Sequence, residues 1–235
     1  FISVSSMLGI MLGVVALITV LSVMNGFHKE VRERILGMAS HATISAVNGP
    51  LREWQQVMQL SQSHGRIIGQ APYIEVQSML TSGKRVSGAM LRGISPRYEP
   101  LVSDVGDHMR SGALEKLQPG KFGIILGREL AGILGARVGA KVTVVTPNIT
   151  MTPAGSLPRL KRFSVFGIFE VGMGEYDRGV GLIHKQDAGK VLRLGDAVSG
   201  VRLKLDDLYL APQVSHELAK QLPGVYRVSD WTMQH

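Results

Sequence analysis

Residues 122–171 read FGIILGRELAGILGARVGAKVTVVTPNITMTPAGSLPRLKRFSVFGIFEV. The opening apolar run reaches Gly127, helical spacing follows, and Gly135 and Gly139 punctuate its end. β-branched residues return over 141–146, and 160–171 reads as the partner strand. Between these two strands lies TPNITMTPAGSLPR (146–159), which holds three prolines yet carries Ile149, Met151 and Leu157. A connection longer than about 12 residues is uncommon in a compact domain and is either functional or disordered. Disordered tips avoid apolar side chains, and Met and Leu suit an adaptable partner surface. Pro147, Pro153 and Pro158 restrict the backbone and lower the entropy lost on docking. Arg159, Lys161 and Arg162 at the base would steer an acidic partner. On the residues alone, a docking element and a disordered tip fit equally.

Outward from this stretch the pattern stays mixed. HATISAV (41–47) alternates as a strand, and 51–63 has helical spacing with Leu51, Trp54, Val57, Met58 and Leu60 inward. Residues 71–95 read as two long strands about the turn Ser82-Gly83-Lys84. Residues 96–120 read as an irregular excursion with one short helix. Gly172 to Gly174 reads as a turn, and Glu175 and Asp177 as surface residues beside it. GVGLIHK (179–185) is a strand and 185–195 a helix. In 199–207, Val201, Leu203 and Leu205 alternate with Arg202, Lys204 and Asp206, which predicts a half-buried strand. A helix over 211–222 and a strand over 224–231 end the chain. Strands and short helices without regular alternation give an α+β class.

The first 27 residues, FISVSSMLGIMLGVVALITVLSVMNGF, carry no charge. Some 24 helical residues cover about 36 Å, enough for a hydrocarbon core of about 30 Å. A transmembrane helix over 1–27 is expected, with Gly9 and Gly13 forming a small-xxx-small step. Phe27, Val31 and Ile35 then share a face, so residues 28–40 read as a stalk helix, and residues 41–235 as the main domain. The chain starts at Phe1, which reads as a fragment.

Apolar residues make up 45% of the 235, enough for a real core. The net charge is +8, but the Lys and Arg are scattered and aromatics are only 6%, so nucleic-acid binding is not expected. No cysteine is present, which removes disulfides and thiol chemistry. The histidines lack paired metal spacing, and neither a phosphate-binding GxxxxGK[ST] nor a GxSxG elbow occurs. No cofactor, metal or catalytic residue is expected.

Three stretches carry a family resemblance. ALITVLSVMNGFHKEVRERILGMASHATIS, centred on Leu21 to Phe27, looks like the first transmembrane helix and stalk of lipoprotein-releasing ABC permeases of the LolC/LolE type. IILGRELAGILGARVGAKVTVVTP is similar to the core of MacB-like periplasmic domains, and DAVSGVRLKLDD resembles the late strand of that domain in Lol permeases. The resemblance implies a truncated, noncatalytic subunit in the bacterial inner membrane, one span plus a periplasmic domain, with three further helices absent. It implies a separate LolD-type ATPase, a second permease subunit (LolE-type or an identical copy), the periplasmic chaperone LolA and triacylated lipoprotein as partners. Thr152-Pro153-Ala154-Gly155-Ser156-Leu157-Pro158 looks like the hook hairpin of the LolC-like subunit. Ile149, Met151 and Arg159 complete that expected chaperone contact, and by position in the first motif Val20 and Met24 are expected to touch acyl chains. Two alternatives stand: a MacB-type exporter that moves no lipoprotein, and a membrane-anchored periplasmic enzyme.

Overall fold

The structure, a computed structural model, describes the backbone of residues 2–38, 40–152 and 155–233, and the side chains of 7–24, 26, 40–147 and 159–232. A single helix, α1 (Ile2–Met38), opens the chain and runs unbroken for 37 residues. Its stretch Met7–Met24 is long and apolar enough to cross a membrane, and none of it is buried. Thr19 bonds its hydroxyl to the Val15 carbonyl, so this polar group needs no partner outside the helix. The expected stalk face of Phe27, Val31 and Ile35 lies outside the described side chains. The chain divides at Leu36/Gly37 into two compact units.

The second unit is an α+β domain. Its elements are β1 (Ala42–Ala46), α2 (Trp54–Gln62), β2 (Ile67–Ser82), β3 (Arg85–Ile94), β4 (Met109–Ser111), β5 (Gly123–Gly127), α3 (Arg128–Leu134), β6 (Lys141–Thr152), β7 (Gly155–Phe169), α4 (Gly174–Gly179), β8 (Val180–His184), α5 (Lys185–Leu192), β9 (Gly200–Leu205), α6 (Ala211–Gln221) and β10 (Tyr226–Asp230). The strands follow the order β10-β1-β9-β2-β3-β8-β5-β7-β4, and β6 pairs with both β2 and β7. That double pairing closes β2-β3-β8-β5-β7-β6 into a ring. The closing seam is short: Met79↔Val145, Leu80↔Val144 and Thr81↔Thr143. Closure removes sheet edges there and turns alternate side chains inward. Leu80, Leu91, Ile124, Leu126, Val142, Val144, Phe163, Val165 and Ile183 are all buried in one apolar cluster. The 16-residue β2 serves both halves, pairing β9 with its first part and β3 and β6 with its last.

Several expectations need correction. Leu60 is exposed; Trp54, Val57 and Ser61 bury the inner stripe of α2, and the Ser61 hydroxyl is satisfied by the Val57 carbonyl at 2.7 Å. Residues 96–120 hold two 3-10 turns, Glu99–Leu101 and Leu114–Lys116, plus β4, in place of one helix. The short α4 was not anticipated. Asp177 within it is buried, accepting from the Val171 and Gly172 amides at 2.9 Å each, so it is no surface residue. Gly127 ends β5 where a Cβ would sit 2.3 Å from the Asp177 carbonyl oxygen, which fixes glycine at that junction.

The strand expected to be half-buried is covered on both faces. β9 lies between β1 and β2, and Arg202 is 2% exposed. Its guanidinium pairs with the equally buried Glu99 and lies 5.8 Å from the Tyr73 ring centroid. Removing one member of a buried pair strands the other charge, at a cost of about 3–5 kcal/mol, whereas an apolar replacement of both is often neutral. Arg202→Met is therefore expected to lower unfolding free energy by roughly 3–5 kcal/mol in urea titration, and Arg202→Met with Glu99→Leu to recover most of it.

Candidate functional site: the β6–β7 ribbon

The stretch expected to be a loop is strand on both sides. β6 and β7 pair from Lys141↔Ser164 out to Thr152↔Gly155. The register shifts once, between Thr146 and Ile149. Pro147 sits at this shift; it has no N–H to donate, so the ladder breaks there and resumes at Ile149↔Pro158. Beyond Val145 on β6 and before Ser164 on β7, neither strand pairs with a third strand among the described residues. The ring thus extends a two-stranded ribbon, which over 146–152 is about 20 Å long at the usual strand rise.

Of the expected contact residues, Ile149, Met151 and Thr152 fall on β6, and Gly155, Ser156, Leu157, Pro158 and Arg159 on β7. Pro153 and Ala154 lie outside the described residues, as do the side chains of 148–158. Val20 and Met24 lie on α1 and are more than half exposed.

At the base of the ribbon the side chains are defined. The Arg159 guanidinium donates to the Val191 carbonyl at 3.3 Å, and the Lys161 ammonium sits 3.8 Å from the Phe122 ring centroid. Phe122 packs edge-on against Phe163 at 5.7 Å. Phe122 has a left-handed φ of 49°, held because buried Asp187 accepts from the Gly120 amide at 2.7 Å and the Phe122 amide at 2.9 Å. Lys190 and Arg193 arrive from the end of α5, and with Phe122, Arg159 and Lys161 they line a cleft of about 330 Å³. Arg159 and Lys161 were expected at this base from sequence. Lys190 and Arg193 were not, since only the fold brings the end of α5 beside β7. Leu160, between the two basic residues, is 63% exposed.

His184 starts α5, and its Nδ1 accepts from the Gln186 amide at 3.2 Å. Burial lowers its pKa, helped by Lys185 and Lys190 and opposed by Asp187. A histidine whose folded pKa lies below the unfolded 6.5 contributes stability above that pH and loses it as pH falls. The chain's urea midpoint is expected to fall between pH 7.5 and 5.5, and His184→Asn, which keeps an acceptor at the cap, to show a shallower fall.

Titratable groups also converge inside the domain. Arg92 bonds Glu75 at 2.7 and 3.0 Å and lies 5.9 Å from the Tyr176 ring. Burial opposes its charge, but Glu75 and Tyr176 outweigh that and raise its pKa. Burial also raises Tyr73. Arg92, Glu99 and Tyr176 enclose only about 10 Å³, room for one water and no substrate. These ions are paired with each other, a structural arrangement. No cluster of metal ligands occurs among the described residues.

Comparison with known sequences shows the family. A family profile, the MacB-like periplasmic core domain, matches residues 3–221, and the chain belongs to that family. The "Lipoprotein-releasing system transmembrane protein LolC" of Xylella fastidiosa (strain 9a5c) is 48% identical over 235 residues, all of this chain. The protein of the same name from Neisseria meningitidis serogroup B is 44% identical over 236 residues, covering 99% of this chain. The chain spans 56% of the length of each of these relatives. Among solved structures, the periplasmic region of MacB from Actinobacillus actinomycetemcomitans superposes with a TM-score of 0.53 at 13% identity, covering 87% of this chain and 95% of that one, a likeness of fold.

Proposed function

We propose that this chain carries one membrane span and the periplasmic domain of a noncatalytic permease subunit in an ABC transporter that extracts lipoproteins from the bacterial inner membrane. The observation that carries the reading is the β6–β7 ribbon, rooted in a closed ring and without a third strand among the described residues, in a chain 44–48% identical to LolC proteins. A LolD-type ATPase supplies the energy from the cytoplasm, and a LolE-type subunit or an identical copy completes the permease. α1 carries the motion outward; Val20 and Met24 meet the acyl chains of triacylated lipoprotein, and the ribbon tip receives the chaperone LolA. The basic groups at the ribbon base steer that soluble partner by long-range attraction.

The expected contact is tested by capture. The detergent-solubilised chain should retain purified LolA on a column, and joint replacement of Pro153, Gly155 and Leu157 should abolish retention with an unchanged melting temperature. Undiminished retention would reject the ribbon as the chaperone site.

The likeness to MacB supports one rival, an exporter of the same architecture that moves no lipoprotein. A photoreactive group at Met24 should label triacylated lipoprotein in native membranes. Absence of that label, with a soluble export substrate labelled in its place, favours the rival.

A further inference from the structure

The outer face of α2 carries no charge. Of its nine residues Trp54, Val57 and Ser61 turn inward, and Gln55, Gln56, Gln59, Leu60 and Gln62 are exposed. A solvated helix usually bears charge on its outer side, and 19% of this chain is charged. Gln55, Met58, Gln59 and Gln62 lie three or four apart and form one wall of a groove of about 370 Å³. Ile68 of β2 and Leu101 of the 3-10 turn Glu99–Leu101 stand on the other side, and no charged residue lines the groove. Two features of the fold hold these apolar side chains out. The register of β2 against β9 skips between Ile67 and Gly69, so Ile68 faces no residue of β9 and is 60% exposed. Gly69 lacks the Cβ that would overlap the Leu101 carbonyl oxygen, so the turn packs directly on the strand and leaves Leu101 50% exposed. The buried Glu99–Arg202 pair pins the same turn. Both side chains are therefore fixed before a partner arrives, which lowers the cost of docking.

An apolar centre inside an uncharged polar rim is the composition of a protein interface core. The absence of charge selects the occupant. A partner presenting carboxylates or ammonium groups would bury them here without counter-ions, which is costly. A second copy brings the same neutral face, and each glutamine amide can both donate and accept across a two-fold axis. The projecting Ile68 and Leu101 lie beside the groove on one surface, so each copy's pair can enter the other's groove. Two chains of net charge +8 repel, and an uncharged face is where they meet at least cost. We infer that the α2 face is the contact between two copies of this chain. It selects the identical copy over a LolE-type subunit, a choice that rests on the function proposed above.

The test uses the full chain in detergent with Gln59→p-benzoylphenylalanine, irradiated and run on a denaturing gel. An adduct of twice the chain mass should form, and its peptides should map to α2 or to residues 98–101 of the second copy. The same photoreactive residue at Lys84, exposed at the β2–β3 turn, should give no such adduct. Ile68→Asp and Leu101→Asp, both at exposed positions, should each cut the Gln59 adduct about tenfold at an unchanged melting temperature. Absence of the adduct, an adduct mapping elsewhere, or a yield indifferent to both aspartates overturns the assignment. Chaperone retention is measured on the same samples. Retention by a chain that forms no adduct keeps the ribbon reading and rejects the α2 contact; adduct without retention does the reverse.

Discussion

The structure depends on the double pairing of β6. By meeting β2 at one edge and β7 at the other, it closes six strands into a ring. Only three residue pairs make the seam to β2. The apolar cluster inside the ring offsets the entropy of bringing β2 and β6 together across more than sixty residues of sequence. Once the seam ends at Val145, β6 pairs among the described residues with β7 alone, and the ribbon follows as a geometric consequence.

Buried carboxylates then set the loops around that ring. Asp187 gathers the two amides that hold Phe122 in its unusual conformation, and Phe122 in turn gives Lys161 an aromatic face to rest on. Asp177 does the same for the turn after β7. In both cases a charge is tolerated inside because it accepts bonds from backbone amides that would otherwise be unsatisfied. The Glu99–Arg202 pair ties the excursion after β3 to β9. The Phe122 wall of the basic cleft thus traces back to Asp187, which does not line the cleft itself.

Much of this was legible beforehand. The uncharged N-terminal helix, the hairpin about Gly83 and the strand–helix–strand unit over 122–147 follow from charge, glycine placement and periodicity. The ribbon was harder. Prolines 147, 153 and 158 argue for a loop in any sheet with neighbours on both sides, but a strand free along one edge tolerates them. Arg202 sits in an alternating pattern that looks half-buried, and its partner lies 103 residues away, beyond any local signal. Ser61 and Leu60 exchange roles because the helix phase advances about 100° per residue, and one residue's error rotates the stripe. Lys190 and Arg193 carry no hint of β7 in their own neighbourhood. The resemblance to LolC-type chains supplied what spacing did not, the expectation that the proline-rich stretch is a hairpin.

Both arms of the ribbon are rooted in strands that pair sideways, β6 against β2 and β7 against β5. Hydrogen bonds in such ladders lie across the strand direction. Tension along the ribbon therefore loads each root in shear, straining all its bonds together, where a sideways tug would peel them singly. A projection anchored this way behaves as a stiff lever for axial pulls and a yielding one for lateral pulls.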